Sequence, residues 1–258
     1  MKTDAPRHDP LAPALPRRVF LQHSTAAMAL MALGGASAEA APPPPAPAAP
    51  GPPAPAASPS GGPLAHTPLR RPGPMLPPVP AILLTVAGKP GDPDEISVLW
   101  TFVVSGNPPQ VGVSAGDEHV ASGLLQLHGE FVLNVPTASL IHAFDRVDFN
   151  SGRVGDKFAL SGLTRGRATR VKAPTVEEAP IQLECRVRHT LRVPPARTLY
   201  IADVLVTSVH EGLCDADGRL NVPAAAFFGM TAGSGEFYTL GQRVGHIGQS
   251  VGRKDIRY

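Results

Sequence analysis

The chain has few aromatic residues, few cysteines and little net charge. Aromatic side chains make up 5% of its 258 residues, and the formal net charge is +2 at pH 7. Proteins that hold nucleic acid usually present a strongly basic surface, and those that hold single strands add stacked aromatic side chains. This composition favours neither feature, so we expect no nucleic-acid partner.

The two cysteines, Cys185 and Cys214, lie far apart in sequence and lack metal-ligand spacing, and the histidines do not cluster. We therefore predict no metal site. Cys185 falls within a predicted strand, which is typical of a buried and unreactive thiol. The sequence leaves open whether Cys185 and Cys214 form a disulfide.

The apolar stretch near the N terminus, Thr25 to Leu33, is shorter than the roughly 20 residues that a membrane span needs. Arg17 and Arg18 precede it, and Ala38-Glu39-Ala40 follows it as a small-residue cleavage site. We predict that residues 1–40 are a twin-arginine signal peptide and that the protein is periplasmic or secreted. Membrane contact is expected only through export or through an uncleaved signal.

Residues 41–74 consist almost entirely of proline, alanine, glycine and serine. Such a segment cannot bury enough apolar surface to offset the entropy lost on ordering. It is predicted to be a disordered, extended linker. The remaining residues, 75–258, are enough for one folded domain with its own core.

The stretch from Glu95 to Pro136 carries the clearest pattern in this domain. Residues 96–104 place apolar side chains at every second position, which predicts one strand. Pro108 and Pro109 then form a turn, and alternation resumes at Val111 and Val113 for a second strand. The residues that share the first strand face are Ile96, Val98, Trp100, Phe102 and Val104.

A helix is predicted from His119 to Leu127, with Gly116-Asp117 as turn and N-cap. Gly129 is predicted to end the helix, and Phe131 to Val135 to form the next strand. Where a strand ends and a helix begins, free backbone N–H groups can face an anion. This junction is the candidate site.

The rest of the domain has the pattern of short strands with few helices. Apolar spacing predicts a helix over Ala138 to Val147, and Pro180 to Val193 and Thr198 to Val209 are predicted to form an antiparallel pair. A strand is predicted at Ala81 to Ala87, and a short helical turn after the polar loop Ser151 to Phe158. The pattern is typical of a mainly antiparallel β-barrel or sandwich.

Taken in order, four segments resemble the flavin reductase-like family, whose fold is the FMN-binding split barrel of flavoredoxin-type proteins. The resemblance covers about Pro74 to Gly252. The segments are Ile96-Ser97-Val98-Leu99-Trp100, Ser105-Gly106-Asn107-Pro108-Pro109 leading to Val113-Ser114, Gly129-Glu130-Phe131-Val132-Leu133-Asn134-Val135-Pro136, and Gly155-Asp156-Lys157-Phe158.

The resemblance implies a mainly β fold, an antiparallel Greek-key split β-barrel with a few short helices. It implies a homodimer that holds FMN as cofactor or substrate, and an FMN-dependent oxidoreductase that passes hydride or electrons from a reduced donor. No catalytic side chain is expected, because the flavin performs the transfer. The residues that the resemblance places at the flavin are Ser97, Trp100, Thr101, Ser114, Ala115, His119, Ser122 and Lys157.

The chain departs from the family pattern at two places. Asp94-Glu95 stands where the family often has Asn, and a negatively charged loop there opposes phosphate. His119 and Ala121 stand where the family commonly has Arg and Thr. These departures motivate an alternative, a non-catalytic split-barrel module that binds flavin, haem or another planar ligand.

Six of the site residues also have simpler interpretations. Ser97, Ser114 and Ser122 could be ordinary turn and cap residues, and His119 could be a solvated residue at the helix start. Trp100 could be a core aromatic, and Lys157 could form a surface ion pair with Asp156 or Glu130. NAD(P)H is the family's usual electron donor. Because an exported protein would have little access to NAD(P)H, we expect a membrane or periplasmic carrier as donor, with a ferric or other small acceptor.

Overall fold

The computed structural model describes residues 66–215, 220–232 and 234–252. The predicted signal peptide and residues 41–65 of the predicted linker lie outside the described residues. Residues 66–78 contain no helix or strand, and the first strand begins at Val79. No helix within the described ranges has both the length and the apolar character needed to cross a membrane.

Short β-strands make up most of the regular structure. Four α-helices accompany them in the described ranges: α1 (Val120–His128), α2 (Ile141–Phe149), α3 (Lys157–Ser161) and α4 (Val222–Ala225), with single 3₁₀ turns at Ala138–Leu140, Glu211–Leu213 and Gln249–Val251. The strands are β1 (Val79–Pro80), β2 (Leu83–Val86), β3 (Glu95–Val98), β4 (Trp100–Gly106), β5 (Pro109–Gly116), β6 (Glu130–Val135), β7 (Arg165–Gly166), β8 (Thr175–Val176), β9 (Ile181–Val193), β10 (Arg197–Val209), β11 (Phe228–Met230) and β12 (Phe237–Thr239).

The main sheet has seven antiparallel strands in the order β3-β2-β6-β9-β10-β5-β4. β5 and β6 follow each other along the chain, but the β9–β10 hairpin lies between them, which is a Greek-key crossing. β3 and β4 also follow each other, yet they stand at opposite ends of this order. The predicted antiparallel Greek-key split β-barrel with a few short helices is confirmed.

The prediction of one strand over residues 96–104 is wrong. β3 ends at Val98, and β4 begins at Trp100 with a different partner strand. Leu99 lies between them and is buried. The alternation of apolar residues continues across this break, but the side chains change environment: Ile96 is fully buried, whereas Trp100 is 40% exposed.

Two groups of buried side chains form the core. One fills the barrel, where α1 packs Leu124 and Leu125 against inward-facing residues such as Leu84, Phe131 and Tyr200. The other lies under α2 and α3, where Phe144 meets Phe228 and Phe237 edge to face at ring-centroid distances of 5.3 and 5.6 Å. The two groups fix α1, α2 and α3 against the barrel.

Other predicted elements agree closely with the structure. The β9–β10 hairpin lies within three residues of its predicted bounds, and α1 is displaced by one residue from the predicted helix. Gly129 ends α1 in the left-handed conformation, with φ 64°, as predicted. The predicted N-cap is wrong: it is His119 and not Asp117, whose carboxylate instead accepts two hydrogen bonds from the Arg192 guanidinium.

Candidate functional site: the end of β5 and the start of α1

The turn from Ser114 to His119 joins the end of β5 to α1. β5 runs past the start of β4, because Trp100, the first residue of β4, pairs with Ser114. Ala115 and Gly116 therefore have strand partners only on the β10 side, where they face Thr198 and Arg197. Their other side has no strand partner within the described ranges, but both residues are buried, so this edge is covered by the protein's own atoms.

Arg197 holds the side chain of Ser114. Its Nε donates to Ser114 Oγ at 3.1 Å, and its Nη2 donates to the Ser114 carbonyl at 3.0 Å. Because Ser114 Oγ accepts from Arg197, its own hydroxyl proton remains available to an outside acceptor. Arg197 has no carboxylate within 4.0 Å among the described residues, so its positive charge is not compensated there.

The N-terminus of α1 carries no side-chain cap. The amide N–H groups of Val120 and Ala121 have no hydrogen-bond acceptor in the described part of the chain. His119 donates from Nδ1 to the Gly116 carbonyl at 3.2 Å, which fixes its ring against the turn. The helix start thus offers donors and a partial positive charge next to Ser114.

One carboxylate opposes this positive environment. The Glu118 side chain folds back onto Gly116, so that a methyl group at Gly116 would fall 2.5 Å from Glu118 Oε2. Only glycine leaves room for that arrangement. Arg153, from the segment after α2, donates to the Glu118 carbonyl at 3.1 Å and adds a cation to the rim.

A second group of polar side chains surrounds Ser97, three residues before Trp100. Lys157 Nζ lies 2.9 Å from Glu95 Oε1 and donates to Ser97 Oγ at 3.3 Å, while Ser97 donates to Glu95 Oε1 at 2.6 Å. All three side chains are buried. We call Glu95, Ser97 and Lys157 the buried ion-pair cluster.

This cluster corrects two expectations. The alternative that Lys157 forms a surface ion pair with Asp156 or Glu130 is wrong, because Lys157 is 5% exposed and pairs with Glu95. Asp94-Glu95 is not an exposed negative loop either. Glu95 begins β3 and is neutralised by Lys157, while Asp94 accepts from the Gly88 amide and lies 3.6 Å from Arg165.

Asp148, on α2, is affected by charges of both the buried ion-pair cluster and the turn before α1. Loss of hydration and the neighbouring Asp145 carboxylate raise its pKa, and the positive charges of Lys157 and His119 act against that shift. The pKa of Asp148 therefore depends on charges in both the buried ion-pair cluster and the turn at the start of α1.

The remaining predicted residues occupy distinct settings. Trp100 is exposed, so the interpretation as a core aromatic is wrong. Thr101 is buried and donates to the Leu99 carbonyl at 3.1 Å. Ser122 is buried at Tyr200, whose hydroxyl donates to the Ser122 carbonyl at 3.0 Å. Ala115 is fully buried and presents no surface to a ligand.

Both cysteines are free thiols in the structure. Burial in β9, with the nearby Glu184 charge as a second cause, raises the pKa of the Cys185 thiol to about 12. The prediction that Cys185 is buried is confirmed.

Sequence reasoning misses Arg197, which lies in the connection between two predicted strands. No local pattern marks it, because its partner Ser114 lies 83 residues away. A pairing of β10 with β5 in the observed register would place Arg197 opposite Gly116, and this register is the signal that could have found it.

The main sheet is open between the consecutive strands β3 and β4, which is the topology of a split barrel. Residues 77–223 match the family described as flavin reductase like domain. The match covers more than half of the chain, and the protein belongs to this family.

The chain is also similar to individual proteins and solved structures. An uncharacterized protein of Archaeoglobus fulgidus is 27% identical over 147 residues, which cover 57% of this chain and 80% of that protein. Flavoredoxin of Desulfovibrio vulgaris (Miyazaki F) superposes with a TM-score of 0.67 at 23% identity, covering 73% of this chain and all of the other. An FMN-binding protein from Thermus thermophilus, solved with 1-cyclohex-2-enone, gives a TM-score of 0.57 at 21% identity, with coverage of 71% and 97%.

Proposed function

We propose that this protein binds FMN at the end of β5 and acts as an oxidoreductase of flavin reductase type. The observation that carries the proposal is the Ser114 turn, where an uncompensated Arg197, a free hydroxyl proton and an uncapped helix meet. A phosphate dianion needs such donors. The similar protein from Thermus thermophilus binds FMN, which supports the choice of this flavin.

In this proposal each group has a defined role. Ser114, Arg197 and the amide of Val120 would hold the phosphate. Exposed Trp100 would lie against the ring and shield it from water. FMN, when bound, supplies the hydride or electron transfer. The protein's own residues bind, orient and desolvate it.

Ser97, Thr101, Ser122 and Lys157 would act differently. Their side chains are buried and hydrogen-bonded within the protein. They would support the backbone that carries Trp100 and the start of α1. His119, half-buried and bonded to Gly116, would fix the turn and lend its charge to the phosphate when protonated.

The test is an absorption spectrum of the purified full-length chain, followed by anaerobic photoreduction. We expect flavin bands that bleach on reduction, and FMN released on denaturation. A haem Soret band would favour the alternative of a module for another planar ligand. Protein that neither retains nor reduces added FMN would overturn the proposal.

We also propose a homodimer that associates through the outer face of the sheet near Trp100. Trp100, Leu199 and Leu191 lie in one cross-strand row, with Phe102 in the next row. Trp100, Phe102 and Leu191 are 40, 42 and 57% exposed, and such an apolar patch usually marks an interface. Light scattering should give a dimer, and Phe102→Asp should yield monomers. Unchanged mass in Phe102→Asp would exclude this face.

Finally, we propose export by the twin-arginine segment, a linker over residues 41–74 and a folded domain over 75–258. An exported protein would draw electrons from a membrane or periplasmic carrier and pass them to a ferric or other small acceptor. Arg17→Lys with Arg18→Lys should retain the protein in the cytoplasm in a fractionation assay. Rapid, flavin-dependent NAD(P)H oxidation at low micromolar coenzyme would refute the donor assignment.

A further inference from the structure

A second polar feature lies outside the candidate flavin site. The segment from β7 to the start of β8, residues 165–174, lines an open cleft of about 690 Å³ together with Asp94, Glu130 and Arg186. Five cationic side chains line this cleft against two carboxylates. The cations are Arg165, Arg167, Arg170, Lys172 and Arg186.

Two of these cations are neutralised by the protein itself. Arg165 lies 2.5 Å from Asp156 and 3.6 Å from Asp94, and its guanidinium stacks over the Phe158 ring at 4.2 Å. Arg186 lies 3.9 Å from Glu130. The carboxylates of the cleft wall are therefore taken by Arg165 and Arg186.

The other three cations are not neutralised. Arg167, Arg170 and Lys172 are exposed, and no carboxylate lies within 4.0 Å of their charged groups among the described residues. They occur within six consecutive residues of one loop. Like charges held this close repel one another, so the arrangement gains stability when an anion enters.

The backbone of the loop is held in place by carboxylates that bind its amides. Buried Glu184 accepts from the Thr169 amide at 2.9 Å, the Thr169 hydroxyl at 2.8 Å and the Arg170 amide at 2.6 Å. Glu130 accepts from the Lys172 amide at 2.7 Å. The loop is thus ordered before any ligand arrives, which lowers the entropic cost of binding.

We propose that this cleft binds a small polyanion of the phosphate class that carries two linked phosphate groups. Arginine forks and a lysine ammonium are the usual partners of phosphate oxygens, and the cleft volume lies in the range of small-molecule sites. The ligand could be free pyrophosphate or the diphosphate of a nucleotide. The cleft shares no side chain with the proposed FMN site and does not depend on it.

The cleft nevertheless adjoins the buried ion-pair cluster. Asp94 immediately precedes Glu95, and Asp156, the partner of Arg165, immediately precedes Lys157. A ligand in the cleft would lie against the wall that this cluster supports. Because the cleft and the proposed FMN site share no side chain, binding of a ligand to the cleft can be measured with or without flavin.

Calorimetry on the full-length protein, at low and at physiological salt, tests the proposal with pyrophosphate, ADP and citrate as probes. We expect pyrophosphate and ADP to bind more tightly than citrate, because a terminal phosphate presents three acceptor oxygens to the arginine and lysine donors where a carboxylate presents two. Tighter binding of ADP than of pyrophosphate would identify a nucleotide as the ligand. Equal or weaker binding of ADP would identify a free polyphosphate.

Variants locate the binding to the cleft. Arg167→Gln with Arg170→Gln should weaken pyrophosphate binding at least about tenfold, because charge-assisted hydrogen bonds to the anion are lost. Arg146→Gln, which removes the same kind of charge from the exposed face of α2, should change it less than about twofold. All these positions are exposed, and thermal unfolding would verify their fold. Equal losses in the control, no loss in the double variant, or citrate binding as tight as pyrophosphate would overturn the proposal.

Discussion

The buried ion-pair cluster and the Ser114 turn use the same kinds of side chain, a serine hydroxyl and a cation. In the buried cluster, Glu95 accepts from both Ser97 and Lys157, so the charges are balanced inside the protein. At the turn, no carboxylate lies within 4.0 Å of the Arg197 guanidinium among the described residues, although Glu118 folds onto nearby Gly116. A hydroxyl beside a cation marks a ligand site only where the balancing anion is missing.

The largest expected effect comes from removing the cation of the buried cluster. Lys157→Met leaves the Glu95 carboxylate buried without a balancing positive charge, with only the Ser97 hydroxyl as partner, and should destabilise the fold by about 3–5 kcal/mol. Urea unfolding measures this loss. Glu95→Gln combined with Lys157→Met should recover at least half of it, since a neutral pair avoids the buried charge. A double variant that was stable but no longer bound flavin would show that Lys157 belongs to the flavin site at the Ser114 turn instead.

Removing the Arg197 cation at the Ser114 turn should have the opposite effects, a large loss of FMN affinity and a small loss of stability. Arg197→Gln should weaken FMN binding by about tenfold or more, because it loses charge-assisted hydrogen bonds, and should change stability by about 1 kcal/mol. Fluorescence titration of FMN and urea unfolding give the two readouts. Arg188→Gln, on the same hairpin and paired with Asp203, is the matched control. A comparable loss of affinity in that control would refute a specific role for Arg197.

Removing the carboxylate that opposes the turn should strengthen FMN binding. Glu118→Gln keeps the side-chain shape over Gly116 and removes a negative charge next to the proposed phosphate. FMN affinity should rise about two- to fivefold at low salt, and the gain should shrink at high salt because exposed charges are screened. No change at low salt would mean that the phosphate lies elsewhere.

The smallest effect concerns Asp148, which senses both regions. Its pKa is raised above the ordinary value of 3.8 by loss of hydration and by Asp145. The folded state therefore binds this proton more tightly, so ionisation of Asp148 weakens the fold as the pH rises through the raised pKa. Asp148→Asn should raise the unfolding midpoint at pH 7 and leave it unchanged at pH values well below the ordinary pKa. A gain that persisted in acid would exclude titration as its cause.

Local pattern predicted much of the fold and only part of the site. The β9–β10 hairpin and the end of α1 at Gly129 follow from alternation and turn chemistry, which act over a few residues. The break at Leu99 could not be seen, because an alternating pattern does not record which strand lies beside it. The partners of Lys157 and Ser114 lie far away in sequence, 83 residues for Ser114 and Arg197, so only the tertiary fold brings them together.

The position of Leu99 has a mechanical consequence. Leu99 connects β3 and β4, the two end strands of the main sheet, through the backbone. These strands do not pair with each other, so the sheet is open between them except at this residue. Ser97 and Trp100 lie on either side of Leu99, three residues apart. The backbone from Ser97 to Trp100 is therefore the direct covalent route between the buried ion-pair cluster and the exposed rim at Trp100.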